Sequence, residues 1–168
     1  MLRRMPLTDS RTHLCAAGIP PVTARTVTHR GSRHEGADMP QMKIQHVALS
    51  VTDITKSGPW YQELFGFQKV AEFAEPAPME IYMTPDGQAL DLRQDPDVVA
   101  ERFTEKRPGL DHLAFVCADQ IEFDTWMSRL AELGVENSGP EVSPFGTHLN
   151  FRDPDGIAME FFLPAASA

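Results

Sequence analysis

The sequence has little cysteine, no long apolar segment and few basic residues in its larger part. Its 168 residues include two cysteines, Cys15 and Cys117, which are too few for a disulfide framework, so we expect a cytoplasmic protein. No stretch approaches the roughly 18 apolar residues that a membrane-spanning helix needs. This predicts that the chain does not cross a membrane.

Charged residues are distributed unevenly along the chain. Residues 1–42 hold six arginines and three acidic residues, a net charge of +3, whereas residues 43–168 hold nine basic and 21 acidic residues, a net charge of −12. Binding to a phosphate backbone needs clustered lysine and arginine. The acidic larger part therefore argues against nucleic acid as a partner.

The first 42 residues show neither strand alternation nor helical periodicity, and prolines and glycines interrupt them. They lack the apolar core of a secretory signal. Three interpretations remain open: a disordered extension, a segment upstream of the true start at Met39 or Met42, and a transit-like peptide. We assign this extension no function.

An internal repeat organises the rest of the chain. Residues 46–64 align without gaps with residues 112–130, an offset of 66, and five of these 19 positions are identical. The triplets at 85–87 and 154–156 are both Pro-Asp-Gly and match at an offset of 69, which also aligns Asp91 with Glu160. The ordered matches predict two copies of one unit.

Each copy is predicted to form a βαβββ module. Alternating residues at 43–51 favour a strand, Asp53 and Asp119 are candidate helix N-caps, and Gly134 suits the end of the second helix. Pro59 is compatible with the first turn of the first helix. Further strands are predicted at 67–74, 78–84 and 88–93, and again at 141–144, 147–152 and 157–163. Module one spans 43–93, the linker 94–109 and module two 110–164.

Four polar residues recur at matching strand positions. Because side chains alternate along a strand, His46 and His112 face away from the neighbours that pack on the helices, and so do Asp91 and Glu160. Each has an alanine two residues away on the same face, which leaves space for an ion and a substrate.

A lone strand histidine is more often a hydrogen-bonded core residue than a ligand, and Glu160 could lie on an exposed edge. Asp91 could instead hold a water or pair with Arg93. Two imidazoles and two carboxylates at symmetric positions, however, suit a first-row divalent metal, and a cation offsets the cost of burying a carboxylate. We therefore predict one divalent ion, Zn, Ni, Fe, Mn or Co, bound by His46, His112, Glu160 and Asp91.

The motifs around 45–48, 109–115 and 151–162 resemble the vicinal oxygen chelate superfamily of glyoxalases, bleomycin resistance proteins and extradiol dioxygenases. The resemblance covers about 43–164. It implies an α+β fold in which two βαβββ modules form a curved eight-stranded mixed sheet around a metal. The two family histidines match His46 and His112, and the final glutamate matches Glu160. Asp91 stands where members often have Glu or Gln.

The resemblance implies a metal-dependent lyase or isomerase that chelates a small oxygenated substrate through neighbouring oxygens. An iron(II) ring-cleaving dioxygenase and a metal-free binding protein of the bleomycin-resistance type remain alternatives. Glu160 and Asp91 are expected to act as proton carriers, and His148, twelve residues before Glu160, is either a proton shuttle or a surface turn residue. Members of this family often dimerise, so we expect a homodimer that binds a small molecule.

Overall fold

Two βαβββ modules follow one another in the chain, in agreement with the repeat. The computed structural model of the protein describes residues 43–98 and 101–166, so the predicted extension 1–42 lies outside the described residues. Module one contains β1 (His46–Ser50), α1 (Ile54–Phe65), β2 (Gln68–Phe73), β3 (Met79–Met83) and β4 (Ala89–Arg93). Module two contains β5 (Leu113–Val116), α2 (Gln120–Glu132), β6 (Asn137–Ser143), β7 (Gly146–Arg152) and β8 (Ala158–Pro164).

The eight strands form two four-stranded sheets with the same internal order. Sheet one runs β1-β4-β3-β2 and sheet two runs β5-β8-β7-β6, so that the first and last strands of each module are neighbours. These neighbours are parallel, whereas the other pairs are antiparallel. The predicted α+β fold class is confirmed. Among the described residues, β1 and β5 are edge strands whose outer edges pair with no other strand.

Both helices begin at the predicted caps. The Asp53 carboxylate accepts a hydrogen bond from the backbone of Thr55, and the Asp119 carboxylate accepts one from Glu122. The structure corrects the expectation for Pro59, which lies well inside α1 and not in its first turn. The preceding residue, Gly58, allows α1 to pack closely against β3. A Cβ at this position would meet the Glu80 carboxylate and the Tyr82 hydroxyl.

One hydrophobic core joins the two modules. The inward faces of both sheets and both helices contribute to it, with Leu90 and Leu92 from sheet one and Met159 and Phe161 from sheet two. The ring of Phe65, at the end of α1, lies 5.8 Å from that of Phe161. Both sheets therefore turn one face towards a shared interior.

A buried carboxylate pair adds polar contacts between the modules. Asp155, in the β7–β8 turn, accepts hydrogen bonds from the backbone and hydroxyl of Thr52 and from Ser57, 3.1 Å away. Asp153 accepts one from the Tyr61 hydroxyl at 2.9 Å. The start of α1 in module one is thus held by a turn of module two.

Cys117 is a buried core residue. Burial raises the pKa of its thiol to about 11, so this cysteine is not a ready nucleophile. No helix in the described ranges has the length and apolar character needed to cross a membrane.

Candidate metal site

The first pair of predicted ligands, His46 and Asp91, lies on neighbouring strands of sheet one. Asp91 is opposite Ala48, two residues along from His46, and alternation puts both side chains on the face turned away from the core. We call this the open face of sheet one. The Asp91 Oδ1 atom is buried and accepts no hydrogen bond from any described residue, although an unpaired buried oxygen is costly. A bound cation would pair with this oxygen and offset the cost of its burial.

The second pair, His112 and Glu160, is similar, except that His112 lies just before β5 and not within it. The face of sheet two that carries Glu160 is called the open face of sheet two. Glu160 is opposite Ala114, again two residues along from the histidine. Only 8% of Glu160 is exposed, whereas His112 is exposed and its Nδ1 lies 2.6 Å from the Asp111 carboxylate. A carboxylate beside Nδ1 leaves Nε2 as the ring nitrogen available to a metal, an arrangement common among histidine ligands.

The two pairs do not meet within one chain. Among the described residues, no group of three or more histidine, cysteine, aspartate or glutamate side chains is placed to hold a metal ion. Each sheet buries its other face in the shared core, so both pairs lie on faces turned away from it. One chain therefore offers two half-sites, each with one imidazole and one carboxylate.

His148 lies beside Glu160 on the open face of sheet two. Its Nδ1 is 3.0 Å from Oε2 of Glu160, and its Nε2 is 2.8 Å from the hydroxyl of Ser143. The residue is half-buried and lies within β7, not in the turn that precedes this strand. Ser143 was not predicted as a site residue, and its place on the same face of β6 is the signal that would have found it.

A cavity of about 470 Å³ adjoins the second pair. Its lining includes His112 and Arg152 together with four carboxylates, from Glu105, Asp111, Glu136 and Glu160. Another cavity, of about 350 Å³, lies between β1 and the linker and contains none of the predicted ligands. The acidic lining of the larger cavity favours a cation over an anion.

Both arginines near the pairs are engaged in ion pairs. Arg93 lies 3.2 Å from Asp95, and Arg152 makes two contacts of 3.2 Å with Glu105 while donating to the carbonyl of Gly156. Their side chains are exposed by 48% and 44%. Both arginines therefore belong to surface ion pairs.

Comparison with known proteins gives consistent matches. The sequence model of the Glyoxalase/Bleomycin resistance protein/Dioxygenase superfamily matches residues 43–161. The metallothiol transferase FosB of Shouchella clausii is 28% identical over 120 residues, covering 70% of this chain and 77% of that protein.

Solved structures show the same fold. A glyoxylase/bleomycin resistance protein/dioxygenase domain from Frankia sp. EAN1pec superposes with a TM-score of 0.70 and 31% identity, covering 75% of this chain and all of that one. The fosfomycin resistance protein FosX of Listeria monocytogenes gives a TM-score of 0.60 at 19% identity, covering 76% of this chain and 97% of its own, a likeness of fold alone.

Proposed function

Since the chain belongs to the glyoxalase/bleomycin resistance protein/dioxygenase superfamily, we propose that it is a metal-dependent lyase or isomerase acting on a small oxygenated substrate. The observation that carries the proposal is the repeated pairing of an imidazole with a carboxylate, His46 with Asp91 and His112 with Glu160, on the open faces of two equivalent sheets. Such nitrogen and oxygen donors suit Zn, Ni, Fe, Mn or Co.

The proposed site is completed by a second copy of the chain. One chain supplies two ligands on each open face, fewer than the three protein ligands typical of a catalytic metal. The outer edges of β1 and β5 pair with no strand in the described part of the chain, and unpaired edges are ready to pair with another chain. We propose a homodimer in which His46 of one copy joins His112 and Glu160 of the partner subunit.

The chain's own residues would orient the substrate and move protons. When bound, a divalent ion stabilises negative charge that develops on a chelated oxygen. Glu160 is the proposed proton carrier, because its Oε2 accepts a hydrogen bond from His148 and the rest of the residue is shielded from solvent. Asp91 is the second candidate, since its Oδ1 is buried without a partner among the described residues.

Thiol transfer to a metal-bound substrate is a second candidate reaction, favoured by the 28% identity to a metallothiol transferase. The ring-cleaving dioxygenase receives less support. The two tyrosines of the sequence, Tyr61 and Tyr82, are buried in the core and hydrogen-bonded to Asp153 and Glu80, so neither is available to act on a metal-bound substrate.

Metal content tests the proposal. Protein purified anaerobically without an affinity tag is expected to contain about one metal per chain by mass spectrometry. The His46→Ala variant should lose it, whereas Asp86→Ala, at a carboxylate in the β3–β4 turn outside both pairs, should keep it. Iron would direct assays to oxygen consumption, and the other metals to isomerase, lyase and thiol-transfer assays. A protein that stays metal-free after reconstitution would instead be a binding protein.

A further inference from the structure

An apolar surface lies beside the first pair of ligands. On β3, Met79, Ile81 and Met83 share the open face of sheet one, because they are opposite Arg93, Asp91 and Ala89 on β4. All three side chains are half-buried and keep part of their surface accessible. No charged side chain interrupts this row.

The next strand extends the same surface. Ala71 is opposite Ile81, and Phe73, with 47% of its surface exposed, is opposite Met79. We call these five residues the apolar wall. The charged residues of the two strands, Lys69, Glu72 and Glu80, instead form ion pairs with one another. Accessible aromatic and methionine side chains beside metal-binding residues are typical of small-molecule sites. Methionine there adapts to the shape of the bound molecule.

The available positive charge is low on both open faces. Of the nine lysines and arginines after residue 42, the two carried by open-face strand positions are Arg93 and Arg152. Both are already paired with carboxylates, Asp95 and Glu105. The cavity beside His112 adds three further carboxylates. A strongly anionic group would meet like charge there, and such juxtaposition opposes binding.

From these observations we infer that the substrate carries an uncharged apolar group next to its two chelating oxygens, and that a phosphonate or similar dianion is excluded. The inference rests on the proposed function, because the two oxygens would bind the proposed metal while the apolar group would contact the apolar wall beside it. The occupant of the wall is thus part of the substrate and not a second copy of the chain.

Three hydroxamates that share one chelating group test this directly. Acetohydroxamate, benzohydroxamate and phosphonoacetohydroxamate differ only in their methyl, phenyl and phosphonomethyl groups. Each is titrated into cobalt-loaded protein, and binding is followed by the visible absorption of the metal. Benzohydroxamate is expected to bind at least about tenfold more tightly than acetohydroxamate, the scale of a modest change in apolar contact. Phosphonoacetohydroxamate should bind more weakly than both.

Two variants assign the preference to its cause. Ile81→Gln should reduce the advantage of the phenyl group, whereas Val142→Gln, at an exposed β6 position outside the wall, should leave it unchanged. Glu105→Gln removes the carboxylate that pairs with Arg152 and should strengthen binding of the phosphonate probe several-fold.

The outcomes separate the inference from the proposed function. Failure to take up cobalt would overturn the proposed function and, with it, the inference. Cobalt uptake with equal affinity for the methyl and phenyl probes, or with tightest binding of the phosphonate, would overturn only the inference. The same holds if a partner copy covers the wall, because the phenyl group would then gain no advantage.

Discussion

The Nδ1 atom of His148 lies 3.0 Å from Oε2 of Glu160. An ionised carboxylate only accepts hydrogen bonds, so Nδ1 carries the hydrogen in this contact. On the other side of the ring, Nε2 is 2.8 Å from the Ser143 hydroxyl, which also lies 3.1 Å from the carbonyl oxygen of Gly146. The three residues form a chain of hydrogen bonds that fixes one oxygen of Glu160 and leaves the other for a metal.

We predict that His148→Leu weakens metal binding about 10- to 100-fold, the usual effect of losing a hydrogen bond to a ligand. His148→Asn should lose much less, because its amide can donate from nearly the position of Nδ1. Titration of both variants with the metal, followed by calorimetry, checks this. Equal affinities for the two variants would show that the contact does not orient Glu160.

Alanine substitutions of His46, His112 and Glu160 are each expected to lower metal occupancy severely, and Asp91→Ala to lower it less. If the site is shared between two copies, mixing His46→Ala with Glu160→Ala subunits restores one intact site in each mixed dimer. Mixing His112→Ala with Glu160→Ala should restore none, because both defects lie in the same half-site. Metal content after unfolding and refolding the mixtures together decides between these arrangements, and no recovery in the first mixture would contradict a shared site.

Gly58→Ala should destabilise the fold. In an exposed helix interior, alanine is favoured over glycine by about 1 kcal/mol. Here the added Cβ would meet the Glu80 carboxylate and the Tyr82 hydroxyl, so we expect a loss of about 1–3 kcal/mol from overpacking. Urea denaturation followed by circular dichroism measures it. Gln62→Ala, at an exposed position of the same helix, is the control, and a stabilised Gly58→Ala protein would refute the close contact.

The stability of the protein is expected to depend on the pH through Asp153. Burial raises the pKa of this carboxyl from 3.8 to about 6, with the nearby Asp155 charge adding to the shift. Between these values the unfolded chain releases the proton while the folded protein keeps it, so the free energy of unfolding contributed by Asp153 falls as pH rises. It is fully retained below about pH 4 and lost above about pH 6.

Thermal denaturation of the wild type and Asp153→Asn at several pH values between 4 and 7 checks this. The variant should lack the part of the pH dependence that Asp153 causes, so the difference in stability between the two proteins should shift in the variant's favour as pH rises. A difference that stays constant across this range would mean that Asp153 is already ionised at the lowest pH.

Much of the fold could be predicted because the repeat fixes equivalent positions twice. The caps Asp53 and Asp119 and the alternation in β1 and β5 are local signals that the structure retains. β6 begins at Asn137 and not at the predicted residue 141. The prediction began too late because Gly139 and Pro140 resemble a strand break. In the structure they belong to an irregularity in the strand, where Gly139 adopts a φ of 72°.

The candidate site could be predicted only in part. Alternation identifies which face His46 and Glu160 occupy, but periodicity carries no information about which sheet edges lie side by side. The separation of the two ligand pairs was therefore not visible in the sequence. The pattern of β6 gives the face that Ser143 occupies, but it does not give the register against β7 that brings Ser143 to His148.

The hold of the β7–β8 turn on α1, through Asp153 and Asp155, has a consequence for how the protein unfolds. Neither repeat can lose its structure without stripping polar partners from the other and opening a common interior. The duplicated chain should therefore melt in a single cooperative transition, with equal calorimetric and van't Hoff enthalpies. In a fragment ending in the linker, α1 would lack the hydrogen bonds that Ser57 and Tyr61 donate to Asp155 and Asp153.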